Sequence, residues 1–240
     1  MEDIKALVRS LAEGVDLMIV NKETLAALQA AGLKTVEPPQ LSVEEYLDVL
    51  FSRRKQKAVE LATMLPAPPV IEHPSIGSLY NEIRECILFG LFGPAITLCG
   101  VLVEYALKYA AITREAGSGK YDAAKWDEFE KMTLAPAIER ALAAGLITAQ
   151  EEKDLKEFKE DIRNPYNHYN TKKITQNVIA KGVKKLDIRT GEVDIVDIAA
   201  KDDVVIMAQA KPFVDSKMVF IVFGFANEMV ARLLERIAGS

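Results

Sequence analysis

Apolar residues recur at helical spacing along most of the chain, and strand-like alternation is confined to one late segment. Residues 1–36 read as one or two helices, stopped by Pro38 and Pro39. Ser42-Val43-Glu44-Glu45 has the layout of a capping box, in which each side chain satisfies the other residue's backbone N–H. It opens a helix with Tyr46, Leu47, Leu50, Phe51, Ala58 and Leu61 on one face and Arg53, Arg54, Lys55 and Lys57 on the other. Pro66, Pro68, Pro69 and Pro74 predict a stiff linker. An N-terminal helical extension (1–70) is therefore separated from a helical core (75–180).

The core begins with two apolar helices at 78–92 and 94–113, with Ser78 as the first cap and Pro94 in the first turn of the second. From Ile96 to Val103 the second is apolar all round, which predicts the central buried helix. Gly117-Ser118-Gly119 ends that pair, and Trp126 and Phe129 share a short helix packed over the core. A helix at 134–144 is terminated by Gly145. Thr148-Ala149-Gln150-Glu151 is a second capping box, opening a helix to about Ile162 with Leu155, Phe158 and Ile162 inward. In the last segment (181–240), Leu186-Asp187-Ile188 and Val193-Asp194-Ile195 alternate around Thr190-Gly191 and predict a β-hairpin. The final helix, 214–238, is apolar enough that it must bury itself on the core or on another subunit. The expected class is mainly α: a helical bundle core with an N-terminal helical extension, a small hairpin and a long C-terminal helix.

With 240 residues, half of them hydrophobic, the chain can bury one core with appendages. A net charge of -5 excludes a general cationic coat for nucleic acid but leaves room for a local basic groove. Cys86 and Cys99 lie in apolar runs and read as buried thiols. His73, with no cysteine or second histidine nearby, is assigned no metal role. Residues 86–103 carry no charge, the lower limit for a membrane span, but Gly90, Gly93 and Pro94 interrupt them and Glu85 and Glu104 flank them. Two short buried helices in a cytoplasmic protein are expected, with no membrane partner. No phosphate loop, dinucleotide fingerprint or metal-ligand set is visible, so no cofactor is expected.

Chemistry concentrates in Arg163-Asn164-Pro165-Tyr166-Asn167-His168. Cleaving RNA without a metal requires proton movement at the 2′ and 5′ oxygens and stabilisation of charge on the phosphate. Histidine titrates near neutrality, and the planar fork of arginine holds two phosphate oxygens. On an uninterrupted α-helix, residues five apart point about 140° away from each other. Pro165 is expected to disfavour helical geometry at Asn164 and to bend the chain, letting the two side chains converge. From Asn164 to Leu186 there is no acid, while Lys172, Lys173, Lys181, Lys184 and Lys185 are present. That stretch suits phosphate, or is an ordinary basic surface. Tyr166 and Tyr169 are candidates for stacking on bases, with packing as the alternative. Glu104 needs a partner if buried: Arg163 is one candidate and Lys108, at i+4, the other.

The Arg163, Asn164 and His168 pattern resembles that of the HEPN domain, whose members carry Arg, commonly a following polar residue, and His four to six residues after the Arg. The similarity covers about residues 75–175 and includes the helix pair from Leu79 to Tyr109, Glu104, and Gly145-Leu146-Ile147 ahead of a charged helix. Pro165 departs from the usual motif. The resemblance implies a four- or five-helix bundle forming a homodimer with facing motifs. Many members are metal-independent endoribonucleases in defence, toxin–antitoxin or stress systems. His168 would then be the general acid/base, Arg163 the phosphate-binding residue and Asn164 an orienting residue, with Tyr166, Tyr169, Lys172 and Lys173 along the RNA. Implied partners are an RNA substrate and a cognate antitoxin or regulatory protein. Other HEPN-like domains are non-catalytic regulatory or interaction modules, in which Arg163 and His168 would be structural, knitted through Glu104. A third type is paired with a nucleotidyltransferase antitoxin that modifies the motif region, for which Tyr166 or Tyr169 would be the acceptor.

Overall fold

The structure is a computed structural model and describes residues 42–117, 123–186 and 193–239. The helices expected before Pro38, Ser118-Gly119 and the Thr190-Gly191 turn lie outside the described residues. The chain divides into two units, Met1–Gln56 and Lys57–Ser240. The division falls inside helix α1 (Val43–Ala62), ahead of the proline-rich segment. The capping box of α1 is formed: the Ser42 N–H donates to Glu45 Oε2 at 2.8 Å, and the Glu45 N–H to Ser42 Oγ at 3.2 Å.

The second unit is a mainly helical bundle with a two-stranded antiparallel sheet and a long C-terminal helix. Helix α2 spans Pro74–Leu88 and α3 spans Phe92–Ala116, with the chain broken at Gly90 (φ 72°). Ser78 is not the cap of α2, because Pro74 fits the first turn and moves the start forward. His73 is the N-cap instead: its Nδ1 accepts from the Ile76 N–H at 3.5 Å, and its ring packs on Tyr109 and Tyr105.

Helix α3 is the centre of the core. Ala95, Ile96, Cys99, Leu102, Val103, Ala106, Leu107, Ala110 and Ala111 on it are buried. It is also, among the described residues, the helix long and apolar enough to cross a membrane, and 67% of its most apolar window is buried within the fold. Around it lie α4 (Ala123–Lys131), α5 (Leu134–Ala143) and α6 (Ala149–Phe158). Helix α5 ends as expected at Gly145 (φ 67°), with the Leu146 N–H returning to the Ala141 carbonyl at 2.9 Å. Helix α6 opens with the Thr148/Glu151 capping box, complete in both directions.

After a π-turn (Lys159–Arg163) come short helices α7 (Asn164–Asn167) and α8 (Thr171–Ile174). Strands β1 (Ile179–Leu186) and β2 (Val193–Ala199) pair antiparallel, with a bulge between Ala180 and Val183 at Gly182 (φ 66°). Helix α9 spans Val204–Ala238 and starts ten residues earlier than the apolar run suggests, because Pro212 is accommodated inside it. Asp203 caps it, accepting from the Val205 and Ile206 N–H groups. Val219, Val222, Phe223, Ala226, Met229, Val230 and Leu233 of α9 are buried in the same core as α3. Glu151 joins the start of α6 to α9 by accepting from both Nη atoms of Arg236 (2.8 and 3.0 Å) and from Arg232 (3.3 Å).

Candidate functional site

The backbone of the motif is set by Pro165, in a different way from the expected bend. Asn164 remains helical (φ -66°, ψ -47°), as does Arg163 (φ -58°, ψ -50°). The irregularity lies one turn earlier, where the Asn164 N–H bonds to the Lys159 carbonyl, five residues back. A proline removes a helical donor and crowds the carbonyl four residues before it, and a widened turn ahead of the ring accommodates both. The five-residue interval from Arg163 to His168 therefore keeps helical geometry.

Consequently the two side chains do not converge within one chain. Arg163 turns into the fold. Its Nη2 donates to Glu104 Oε2 at 2.8 Å and its Nη1 to Asn164 Oδ1 at 3.2 Å. The other Glu104 oxygen pairs with Lys108 Nζ at 3.0 Å. Both partners suggested for Glu104 thus hold it at once. The Arg163 and Glu104 side chains keep only 22% and 15% exposure. Arg163 Nε is buried and has no hydrogen-bond partner among the described residues. Gly100 of α3 makes this seat possible: a Cβ there would stand 2.9 Å from Arg163 Cγ.

His168 is exposed, and among the described residues its side chain forms no hydrogen bond or ion pair, with Arg163 or with any other group. It stands at the C-terminus of α7, followed by a Schellman turn: the Asn170 N–H bonds to the Pro165 carbonyl at 2.7 Å and the Tyr169 N–H to the Tyr166 carbonyl at 3.2 Å. Tyr169 occupies the left-handed position (φ 49°), where glycine or asparagine is usual.

The two tyrosines separate in role. Tyr169 is 70% exposed and keeps the accessibility that stacking needs. Tyr166 has 7% exposure, and its hydroxyl donates to Asp215 Oδ1 at 2.8 Å. The packing alternative is the observed one, and no base reaches that ring in this arrangement. Burial, with Asp215 beside it, pushes the Tyr166 phenol above its ordinary pKa. The lysines also differ. Lys172 is exposed, whereas Lys173 is drawn onto the π-turn, donating to the Glu160 carbonyl at 2.7 Å and pairing with Asp161 at 3.2 Å. Lys181 and Lys184 are exposed on β1. The Lys185 side chain lies outside the described residues.

A polar cluster beneath the motif was not anticipated. Lys211 of α9 pairs with Asp215 at 2.6 Å, and both side chains are nearly buried, at 11% and 9% exposure. Lys211 Nζ lies 5.2 Å from the ring centres of both Tyr166 and Tyr169. Opposite is Gly93, where a Cβ would come within 2.8 Å of Asp215 Oδ2 and 3.1 Å of Lys211 Nζ. The i, i+4 spacing of Lys211 and Asp215 was the available signal, but it is equally that of a solvated helix pair.

Among the described residues no group of three or more His, Cys, Asp or Glu side chains is placed to hold a metal ion. Comparison with family models, curated proteins and solved structures finds no match for this chain.

Proposed function

We propose that the protein is a metal-independent endoribonuclease of the HEPN type, working as a homodimer with the motifs of two chains brought together. The observation that carries this reading is the division of the motif into an anchored cation and an unencumbered imidazole. Arg163 is held by Glu104 and Asn164, and His168 is offered to solvent on a turn without nearby acids in sequence. A preset arginine and an accessible histidine supply phosphate binding and proton transfer. Because the two point apart in one chain, a site using both draws the arginine of one protomer and the histidine of the other. Lys172 and Tyr169, both exposed, lie beside His168 in sequence and would follow the RNA. A defence, toxin or stress role, with an antitoxin or regulatory partner, fits that chemistry.

The experiment is incubation of wild type, Arg163→Ala and His168→Ala with single-stranded and structured RNA in EDTA. Cleavage by wild type, lost in both folded variants, is expected. Equal cleavage by all three, or none by wild type, overturns the reading.

One observation favours a second reading, a non-catalytic HEPN-like interaction module. The Arg163 guanidinium is already occupied by Glu104 and Asn164, which is what a purely structural arginine would show. Under that reading a stable dimer without RNA cleavage is the expected result.

A further inference from the structure

We infer that Lys211 and Asp215 of α9 are positioning residues for His168, acting through the two tyrosines that flank it. The inference rests on reading His168 as the proton-transfer residue. His168 has no side-chain bond of its own, so the placement of its imidazole depends on its backbone. That backbone is gripped on both sides by one pair of α9 side chains. Two residues before it, Tyr166 donates its hydroxyl to Asp215. One residue after it, the Tyr169 ring stands against Lys211 Nζ. Lys211 and Asp215 are themselves joined at 2.6 Å, so the grip is a single connected unit.

Two features of this unit are poorly explained by stability alone. A nearly buried lysine–carboxylate pair stabilises a fold little better than apolar residues of the same size. A tyrosine in the left-handed region costs on the order of 1 kcal/mol, where glycine would cost nothing. The left-handed tyrosine lies in the turn that carries His168, and its ring is what brings that turn to the Lys211–Asp215 pair of α9. Gly93 leaves the space in which the lysine and aspartate meet. The arrangement ties the backbone on both sides of His168 to α9 while leaving its side chain exposed.

The test compares wild type with Tyr166→Phe, Gly93→Ala and the double variant Lys211→Met/Asp215→Asn, which strands no buried charge. Amide hydrogen exchange is followed at Tyr169 and Asn170, whose N–H groups close the turn. RNA cleavage is resolved into kcat and KM. Exchange at those two amides should accelerate by about tenfold or more. At the same time kcat should fall by roughly 10- to 100-fold, with KM within about twofold of wild type. Tyr166→Phe removes one hydroxyl and keeps the test decisive if the double variant does not fold. Wild-type protection of the two amides in every folded variant overturns the inference, and so does faster exchange with unchanged kcat. A wild-type protein that cleaves no RNA overturns the ribonuclease reading instead. The exchange data then decide by themselves whether the pair holds the turn.

Discussion

Two largely buried carboxylates, Glu151 and Glu104, each gather two cations, and they are arranged very differently. Glu151 takes both Nη atoms of Arg236, a bond from Arg232 and the N–H of its own cap at Thr148. Every group there is satisfied, and the carboxyl is held down to about 2, chiefly by Arg236. Glu104 divides its oxygens between Lys108 and Arg163, and Arg163 is left with a buried Nε that bonds to nothing described. Gly100 surrenders its side chain to seat that arginine. The first cluster is accounted for by joining α6 to α9. The second tolerates an unpaired donor and a backbone concession, which are expected where an arginine must point in one direction for a reason besides stability.

The largest expected effect sharpens this contrast. Glu151→Ala removes the cap of α6 and the charged hydrogen bonds to two partly exposed arginines, and should destabilise the fold by about 3 kcal/mol in urea denaturation. RNA cleavage per folded molecule should stay at the wild-type level. Glu151 also carries a pH signature. Its carboxyl titrates lower in the folded chain than its ordinary 4.5, so its contribution is complete above that value and is lost as pH falls toward 2. Stability measured from pH 6 to 2 should therefore fall less steeply in Glu151→Gln than in wild type.

Next in size is Gly100→Ala. The new Cβ pushes on the stem of Arg163 and should cost about 1–3 kcal/mol. Unlike Glu151→Ala, it should reduce cleavage beyond what lost stability explains. His168→Ala comes third, changing stability by less than about 0.5 kcal/mol while abolishing cleavage. A large loss of stability in His168→Ala would mean that the exposed imidazole is a structural group. The smallest effect is expected from Lys172→Ala, which should weaken RNA binding modestly and lower the salt dependence by about one ion. Binding affinity titrated from 50 to 200 mM salt checks it.

How far such a contrast could be read from the chain depended on how each group announces itself. Three helix ends were legible, the capping boxes at Ser42 and Thr148 and the glycine stop at Gly145, whereas α2 is capped by His73 and not by Ser78. Proline was the recurrent source of error. Pro74 begins a helix, Pro165 is absorbed by a π-turn one turn earlier, and Pro212 sits within α9. From the sequence Pro74 reads as part of a linker and Pro165 as a bend, and the apolar run alone starts the last helix at 214; in the structure Pro165 is buried, and Pro74 and Pro212 are exposed. The last of these hid the Lys211–Asp215 pair, because starting the helix at residue 214 put the two on different elements. Glu104 and Arg163 were found by asking what a buried carboxylate would need, a question that burial poses in any sequence. Tyr166 was left open between stacking and packing, since only the position of Asp215 decides between them.

The central claim, that Arg163 of one protomer works with His168 of the other, is tested most directly by co-expressing Arg163→Ala and His168→Ala, each inactive alone. A heterodimer of the two retains one intact pair, so purified heterodimer should cleave RNA at about half the wild-type rate. Heterodimer that forms and folds but stays as inactive as either parent would contradict it.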